Sequence, residues 1–540
     1  MMQRGIGIVL ACLAAVCALR CGTNLDGSTA PEDGGRGDAP PADATGDGAG
    51  DVDGTLADAP VELEVPGDGM PVCNQGDLES ALADAQTTGA EVVVGAGCVV
   101  EGTFTVPAGV RLRGEAGAVL ATPADEGVRR PVLTVQAAGT QTTSVTGLTI
   151  RSSSNYGIAV RGSGAGRAQL KDLAVEASRG VGVGAENLSG LELTNVTLDG
   201  LHTAGELRSS DPSAADPDGE ATHGLVIVHG GRVTLEGVTI RGFAAIGGVM
   251  IDDDIAWSTG VVEDSGLAGL VTHAATVQLT DVAIRGLRMP HAFPIETTYD
   301  ETRSWTGPPT FGAAFLGGST VETTGLVVER GLHFGVAQQG GEATHAGLAV
   351  RECGAAAVWA QGVRSFELRG ATGAPALLEN NRFAGVALIE PEAVTIADTD
   401  VTGTEWGCQD CGTLEEVRAG DGIQVARPKG AVSIHGAQLL NNARIGLLLD
   451  MGGTGMGAVD LAGITVAGGE RSYGAYAQNA VDDAGWDEDI SRTDPLGFND
   501  GRIDGEIFAI GRPLPAKAFP AVSRIARDGL VGVIDPEPPH

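Results

Sequence analysis

Aromatic side chains make up only 4% of the 540 residues, and lysine occurs three times, at Lys171, Lys429 and Lys517. Blocks of Leu, Glu and Lys at helical spacing are missing, which argues against an all-helical chain. Cations are few: 34 basic residues face 70 acidic ones, a formal net charge of -36. Neutralising a phosphate backbone needs clustered Lys and Arg, so nucleic acid is excluded as an expected partner. The main unbroken apolar run, GIGIVLACLAAVCAL after Arg4, is too short for a membrane-spanning helix. It has the length and the charged flank of an export signal.

Glycine is plentiful instead, at 84 residues, together with Val, Thr, Ile and Ala. That mixture favours strands and tight turns. Three segments are expected. Residues 1–21 form the signal. Residues 22–72, rich in Asp, Gly, Ala and Pro with Arg36 as the single cation, hold too little apolar surface to offset ordering entropy and form an extended acidic linker. Residues 73–540 form the folded domain.

Five cysteines follow the linker. In an oxidising compartment Cys73–Cys98 and Cys408–Cys411 are the expected disulfides, leaving Cys353 as a buried thiol. The alternative for WGCQDCG at 406–412 is half a zinc site, but no second CxxC or CxxH completes it.

The folded segment repeats itself. GAQLLNNARIGLLLD at 436–450 echoes APALLENNRFAGVALI at 374–389. A glycine opening an aliphatic run recurs as Gly157, Gly180, Gly224, Gly248, Gly269, Gly312, Gly335, Gly385, Gly422, Gly446 and Gly474, with Ala356 filling one slot; the base period is 21 to 24 residues. A second, alternating strand signature follows in each period, as in GRVTLEGVTIRG, ATVQLTDVAIRG and LELTNVTLDG, with turn-like EGV, TDV and TNV steps. A repeat this small cannot bury its own apolar side, so copies must stack. Positions one and three after the glycine are expected to face inward, which places Leu447 and Leu449 inside and Leu448 outside. The paired asparagines belong at a bend, where they can adopt left-handed backbone angles and bond along the stack.

This G-h-x-h strand with its paired alternating strand resembles the right-handed parallel β-helix family, the pectate-lyase-like fold. The resemblance runs over residues 73–540 and implies an all-β solenoid of about fifteen coils with a short N-terminal capping helix, on which Leu78, Leu82 and Ala85 share a face. The switch to CGTNLDGSTAPEDGG after the signal resembles the lipid-attachment boundary of bacterial lipoproteins. Cys21 is then the lipidation candidate, with ordinary cleavage, or VLAC ending at Cys12, as alternatives. The implied location is an outer membrane or cell surface, otherwise the secreted fraction, and the implied membrane contact is through a lipid anchor alone.

The family hosts polysaccharide lyases, glycoside hydrolases, esterases, adhesins and phage spikes, so the fold does not name an activity. The polygalacturonase-type signatures N-T-D, D-D, G-H-G and R-I-K are not present as a set. Two function classes follow. One is a surface-tethered protein that binds or cleaves a polysaccharide, by lyase or hydrolase chemistry if it is an enzyme. The other is a non-catalytic adhesion or spacer rod. Residues four and five beyond Gly224, Gly248 and Gly269 place His229, Asp252, Asp253 and His273 at nearly one azimuth, with His223 and His291 nearby. Such a column could exchange protons or hold a divalent cation such as calcium. Insertions at 202–223, 287–311, 404–422 and 479–501 carry Trp305, Trp406 and Trp486. An exposed indole is a platform for a sugar ring.

Overall fold

A computed structural model describes residues 71–123, 130–153, 156–177, 180–200, 221–243, 245–266, 268–287, 310–331, 333–409, 417–452, 459–467 and 473–478. The signal, nearly all of the linker, Cys21, Trp305, Trp486, His291 and Cys411, and with it the expected Cys408–Cys411 bridge, lie outside what is described.

The described residues open on a helix, α1 (Gln75–Thr88). Asn74 caps it by accepting the Asp77 N–H at 2.9 Å, and Gly89 ends it in the left-handed region. Leu78, Leu82 and Ala85 are buried in the same core as Val92 and Phe104, so the expected capping face is the observed one. The Cys73–Cys98 disulfide is formed, with Cα atoms 5.3 Å apart. It ties the start of the chain to the first coil.

Beyond the helix the coils repeat one path of three strands, the second and third running together as one in Arg167–Ala177 and Gly190–Asp199. Ala221–Val228, Arg232–Glu236 and Thr239–Arg241 make one coil; Ile246–Ile251, Asp254–Ser258 and Val261–Glu263 make the next. The first strand of each coil joins a 15-stranded sheet, and the other two join a 26-stranded sheet. Among the described residues every strand pairing along the stack is parallel; off the stack, Gly407–Gln409 runs antiparallel to the start of Val417–Ala426, and Ala371 bridges Ala374 in the antiparallel sense. Parallel strands joined by successive crossovers of one hand build a right-handed parallel β-helix. Fourteen strands follow one another in the first sheet among the described residues, with Gly407–Gln409 off that path.

Period-two alternation decides what fills the rod. Positions one and three after the register glycine, such as Leu225 and Ile227 or Leu447 and Leu449, lie in one continuous core with the centres of the other strands, Leu235 and Ile240 among them. The glycine itself is there because of crowding. A Cβ on Gly224 would collide with the Ile240 side chain and lie 2.6 Å from the Gly247 carbonyl oxygen of the next coil. The same contact recurs from Gly182 to Gly224 and from Gly269 to Gly312. The true column therefore runs through Gly182, Gly247 and Ala357, where the sequence pattern suggested Gly180, Gly248 and Ala356. In each case a neighbouring small residue, or two adjacent glycines, made the phase ambiguous.

A second correction concerns Leu448. It occupies an outward position, yet it is fully buried. The outer face of this sheet is itself apolar and closed to solvent over many coils, with Ala314, Ala337, Trp359 and Ala387 also at 0% exposure.

Three corners close each coil, and each needs a left-handed residue. The EGV, TDV and TNV steps supply Gly237 (φ 62), Asp281 (φ 52) and Asn195 (φ 53). The asparagine pairs divide the labour. Asn380 (φ 53) and Asn441 (φ 56) take the left-handed turn. Asn381, fully buried, donates to the Val350 carbonyl and accepts from the Cys353 N–H, both at 3.0 Å. Asn442 does the same between Val401 and Thr404 at 3.3 and 3.2 Å. A buried amide that satisfies one donor and one acceptor of the preceding coil explains why the phrase recurs.

Candidate functional site

The corner that follows the first sheet is where the candidate residues fall. Its left-handed position is occupied along the stack by Asn187, His229, Asp252, Ala274, Gly317 and Gly340, with φ between 51° and 64°. His229 and Asp252 thus stand in one column for a backbone reason. A polar or small residue tolerates the left-handed turn better than a branched one. Their N–H groups donate to the Ile251 and His273 carbonyls of the following coil at 3.1 and 3.0 Å.

Within that column the structure brings two side chains together. His229 Nδ1 lies 3.5 Å from Asp252 Oδ2, and both side chains are partly in solvent. Asp253 does not join them. The register glycine is Gly247, so Asp253 sits one position further on, aligned with Gly230. Its side chain turns inward, where Oδ1 accepts the Gly230 N–H. Its Oδ2 is buried with no hydrogen-bond partner. Burial pushes the Asp253 carboxyl up to about 7, with the neighbouring Asp252 charge adding to the rise and backbone donors opposing it. Ser319 does the same corner task two coils on, accepting the Ala275 N–H at 3.1 Å.

His273 is also displaced from the column. It ends its strand in register with Ile251 and Leu316. Its ring lies over Gly317, where an added Cβ would be 2.8 Å from the imidazole Cε1. The ring therefore leans toward the following coil, away from Asp252. His223, expected nearby, is buried beside Val181 and Ile246 on the outer side of its strand, and burial pushes it down to about 4. The expected column is thus one surface His–Asp pair, one buried corner carboxyl and one imidazole in the next gap. Among the described residues no group of three His, Cys, Asp or Glu side chains is placed to hold a metal ion.

A different feature stands in the open. Trp406 is 51% exposed and, with Val99, is one of two large apolar side chains so exposed among the described residues. It immediately precedes the Gly407–Gln409 strand, which pairs with the start of the Val417–Ala426 strand. Glu405, next to it, is ion-paired to Arg382 at 2.8 Å. Nearby on the same sheet, Asp421 is fully buried and holds the Arg444 guanidinium through both carboxylate oxygens, with the Gln424 amide donating to it as well. Sequence reasoning found Trp406 but not the ion pairs of this region, because Arg382 and Arg444 each lie about one coil from the carboxylate they bind. The available signal was an Arg and an acid separated by one repeat at equivalent corners.

No family model matches the chain, and no curated protein matches it. Solved structures do. The bacteriophage CBA120 tailspike protein 3 is 11% identical, with 75% of this chain and 58% of that chain covered and a TM-score of 0.31. The catalytic domain of a GH87 alpha-1,3-glucanase is 10% identical, with 77% and 69% covered and a TM-score of 0.30. An alginate lyase from Paenibacillus sp. is 12% identical, with 75% and 98% covered and a TM-score of 0.20. These are likenesses of fold kind alone. The chain spans little more than half of the tailspike, and no residue or activity carries across at such identities.

Proposed function

We propose that this chain is an exported, surface-tethered β-helical rod that binds a polysaccharide, with the Trp406 corner as a docking point. The observation that carries the reading is the half-exposed Trp406 indole, next in sequence to Glu405 of the Glu405–Arg382 ion pair. An indole face offers a flat apolar platform to the C–H side of a sugar ring. The flanking carboxylate and guanidinium offer acceptors and donors for its hydroxyls. Tethering and export rest on the signal, the Cys21 boundary and the acidic linker. Binding without turnover is favoured because the four acid–base candidates do not converge: His229 and Asp252 pair at the surface, Asp253 holds Gly230, and His273 packs over Gly317.

The test is a panel of soluble and insoluble polysaccharides, assayed for binding, for unsaturated products at 235 nm and for new reducing ends. The reading expects saturable binding to at least one glycan, no product, and a loss of about tenfold or more on Trp406→Ala, the size typical of losing one buried or stacked aromatic contact. Product formation moves the protein to the enzymatic class. Binding that is indifferent to Trp406→Ala removes the docking point. No binding at all leaves the spacer reading in its place.

A further inference from the structure

One stripe on the rod has a pattern that hydrophobic stacking does not require. The third strand of each coil is short, with a buried centre and an outward last residue, as in Thr239–Arg241, Val261–Glu263, Ala283–Arg285, Val327–Glu329 and Ala349–Arg351. Those last residues are in direct register along the stack, and their charges alternate: Asp199, Arg241, Glu263, Arg285, Glu329, Arg351, Glu379. Ion pairs run up the column at 2.6 Å (Asp199–Arg241), 3.3 Å (Arg285–Glu329), 3.2 Å (Glu329–Arg351) and 2.8 Å (Arg351–Glu379). We propose that this alternating ladder is a register key that prevents a coil from being skipped when the rod stacks.

The buried parts of these strands do not distinguish one coil from the next. Val261–Glu263 and Val327–Glu329 share the sequence VVE, and Ile240, Val262, Ile284, Val328 and Val350 fill the same slot, all fully buried. A strand paired with the coil after next would bury nearly the same apolar surface. Residues 286–310 separate two consecutive strands of the path, a length of chain sufficient to reach past one coil. The charges do distinguish the coils. With strict alternation, leaving out any one coil between Arg241 and Arg351 sets like charges side by side. Omitting Glu263 puts Arg241 against Arg285, and omitting Arg285 puts Glu263 against Glu329. Neighbouring strands are about 4.8 Å apart, well inside the screening length at ordinary salt. Like charges directly opposite on neighbouring strands are destabilising. Skipping two coils restores alternation but forfeits twice the core. The ladder therefore acts less by strengthening the native rod, since exposed ion pairs contribute little, than by penalising its nearest competitor.

The experiment compares three full-length proteins refolded from urea at low ionic strength. The first is unaltered. The second is neutral, carrying Arg241→Gln, Glu263→Gln, Arg285→Gln, Glu329→Gln and Arg351→Gln. The third is inverted from Asp199 to Glu379: Asp199→Arg, Arg241→Glu, Glu263→Arg, Arg285→Glu, Glu329→Arg, Arg351→Glu and Glu379→Arg. Inversion keeps alternation and also matches Glu176, which pairs with Asp199 in the native register. Native stacking is read by protease resistance and by hydrogen-exchange protection at Val262, Val328 and Val350. The neutral protein should give about a tenfold larger misstacked fraction, the effect of exchanging one or two weak repulsive contacts for none. The inverted protein should match the unaltered one. At 1 M salt, where screening reaches about 3 Å, the unaltered protein should fall toward the neutral one. The proposal is overturned if the neutral protein refolds as well at low salt, or if the inverted protein folds no better than the neutral one.

Discussion

Replacing Asp253 by Asn should make the protein more stable at alkaline pH than it is with its own carboxylate. Burial holds the folded-state carboxyl at about 7 against an ordinary value of 3.8. Below 3.8 the group is protonated in both states and imposes no penalty. Above 7 it is ionised in both, and the folded state carries the full cost of a charge whose Oδ2 has no hydrogen-bond partner. Stability attributable to this group therefore declines as pH rises through the interval between those two values. At 1.36 kcal/mol per unit the full cost is about 4 kcal/mol, and about 2 to 3 kcal/mol of it falls between pH 5 and 8. Asn keeps the acceptor for the Gly230 N–H and cannot ionise. It leaves an unbonded amide donor, at a cost of about 1 to 2 kcal/mol. The assay is urea or thermal unfolding of both proteins at half-unit steps from pH 5 to 8 and fixed ionic strength. The remaining carboxylates titrate alike in both, so the difference between variant and parent isolates position 253. That difference should move in favour of the variant by about 2 to 3 kcal/mol across the range. A difference that is flat with pH, or that moves toward the parent, refutes the buried-carboxyl account.

Other outcomes follow from the packing. Leu447→Asp and Leu448→Asp should both lower stability by more than about 3 kcal/mol in thermal melts, because both sites are closed to solvent and neither offers a partner for a carboxylate; a neutral Leu448→Asp would show that the outer face is open. Gly224→Ala should cost about 2 kcal/mol or more, since its Cβ meets Ile240 and the Gly247 carbonyl; an unchanged melting temperature contradicts that crowding. Reducing Cys73–Cys98 should cost about 3 kcal/mol for the loop it closes, read as a lower melting temperature in reductant. Cys353, buried and pushed up to about 12, should react with a thiol reagent only after denaturation; rapid labelling of the native protein would place it at the surface.

The architecture was legible because stacking imposes a period. A recurring glycine, alternation on either side of it, and turn residues such as Asn195, Gly237 and Asp281 are local requirements, and each coil states them again. Asn381 and Asn442 belong to the same class, since at those two bends a buried amide satisfies the coil behind it. α1 was legible for the ordinary helical reason, a spaced apolar face on Leu78, Leu82 and Ala85.

What the period cannot supply is phase and company. IGGVMI offers two glycines, and only the clash of a Cβ with the Val262 side chain and the Gly269 carbonyl selects Gly247. That one-residue difference turns Asp253 inward toward Gly230 while Asp252 faces His229, and it sets His273 over Gly317 in place of joining them. Alternation likewise placed Leu448 on the outside correctly but could not show that the outside is buried. The Asp421–Arg444 and Glu405–Arg382 pairs join residues about one coil apart in sequence. The sequence by itself determined the coil and its corners, because these depend on neighbours at a near-constant spacing; the stripe of alternating charge emerged only from the strand register. Only the tertiary structure decided which side chains meet, because that depends on how one coil is seated against the next.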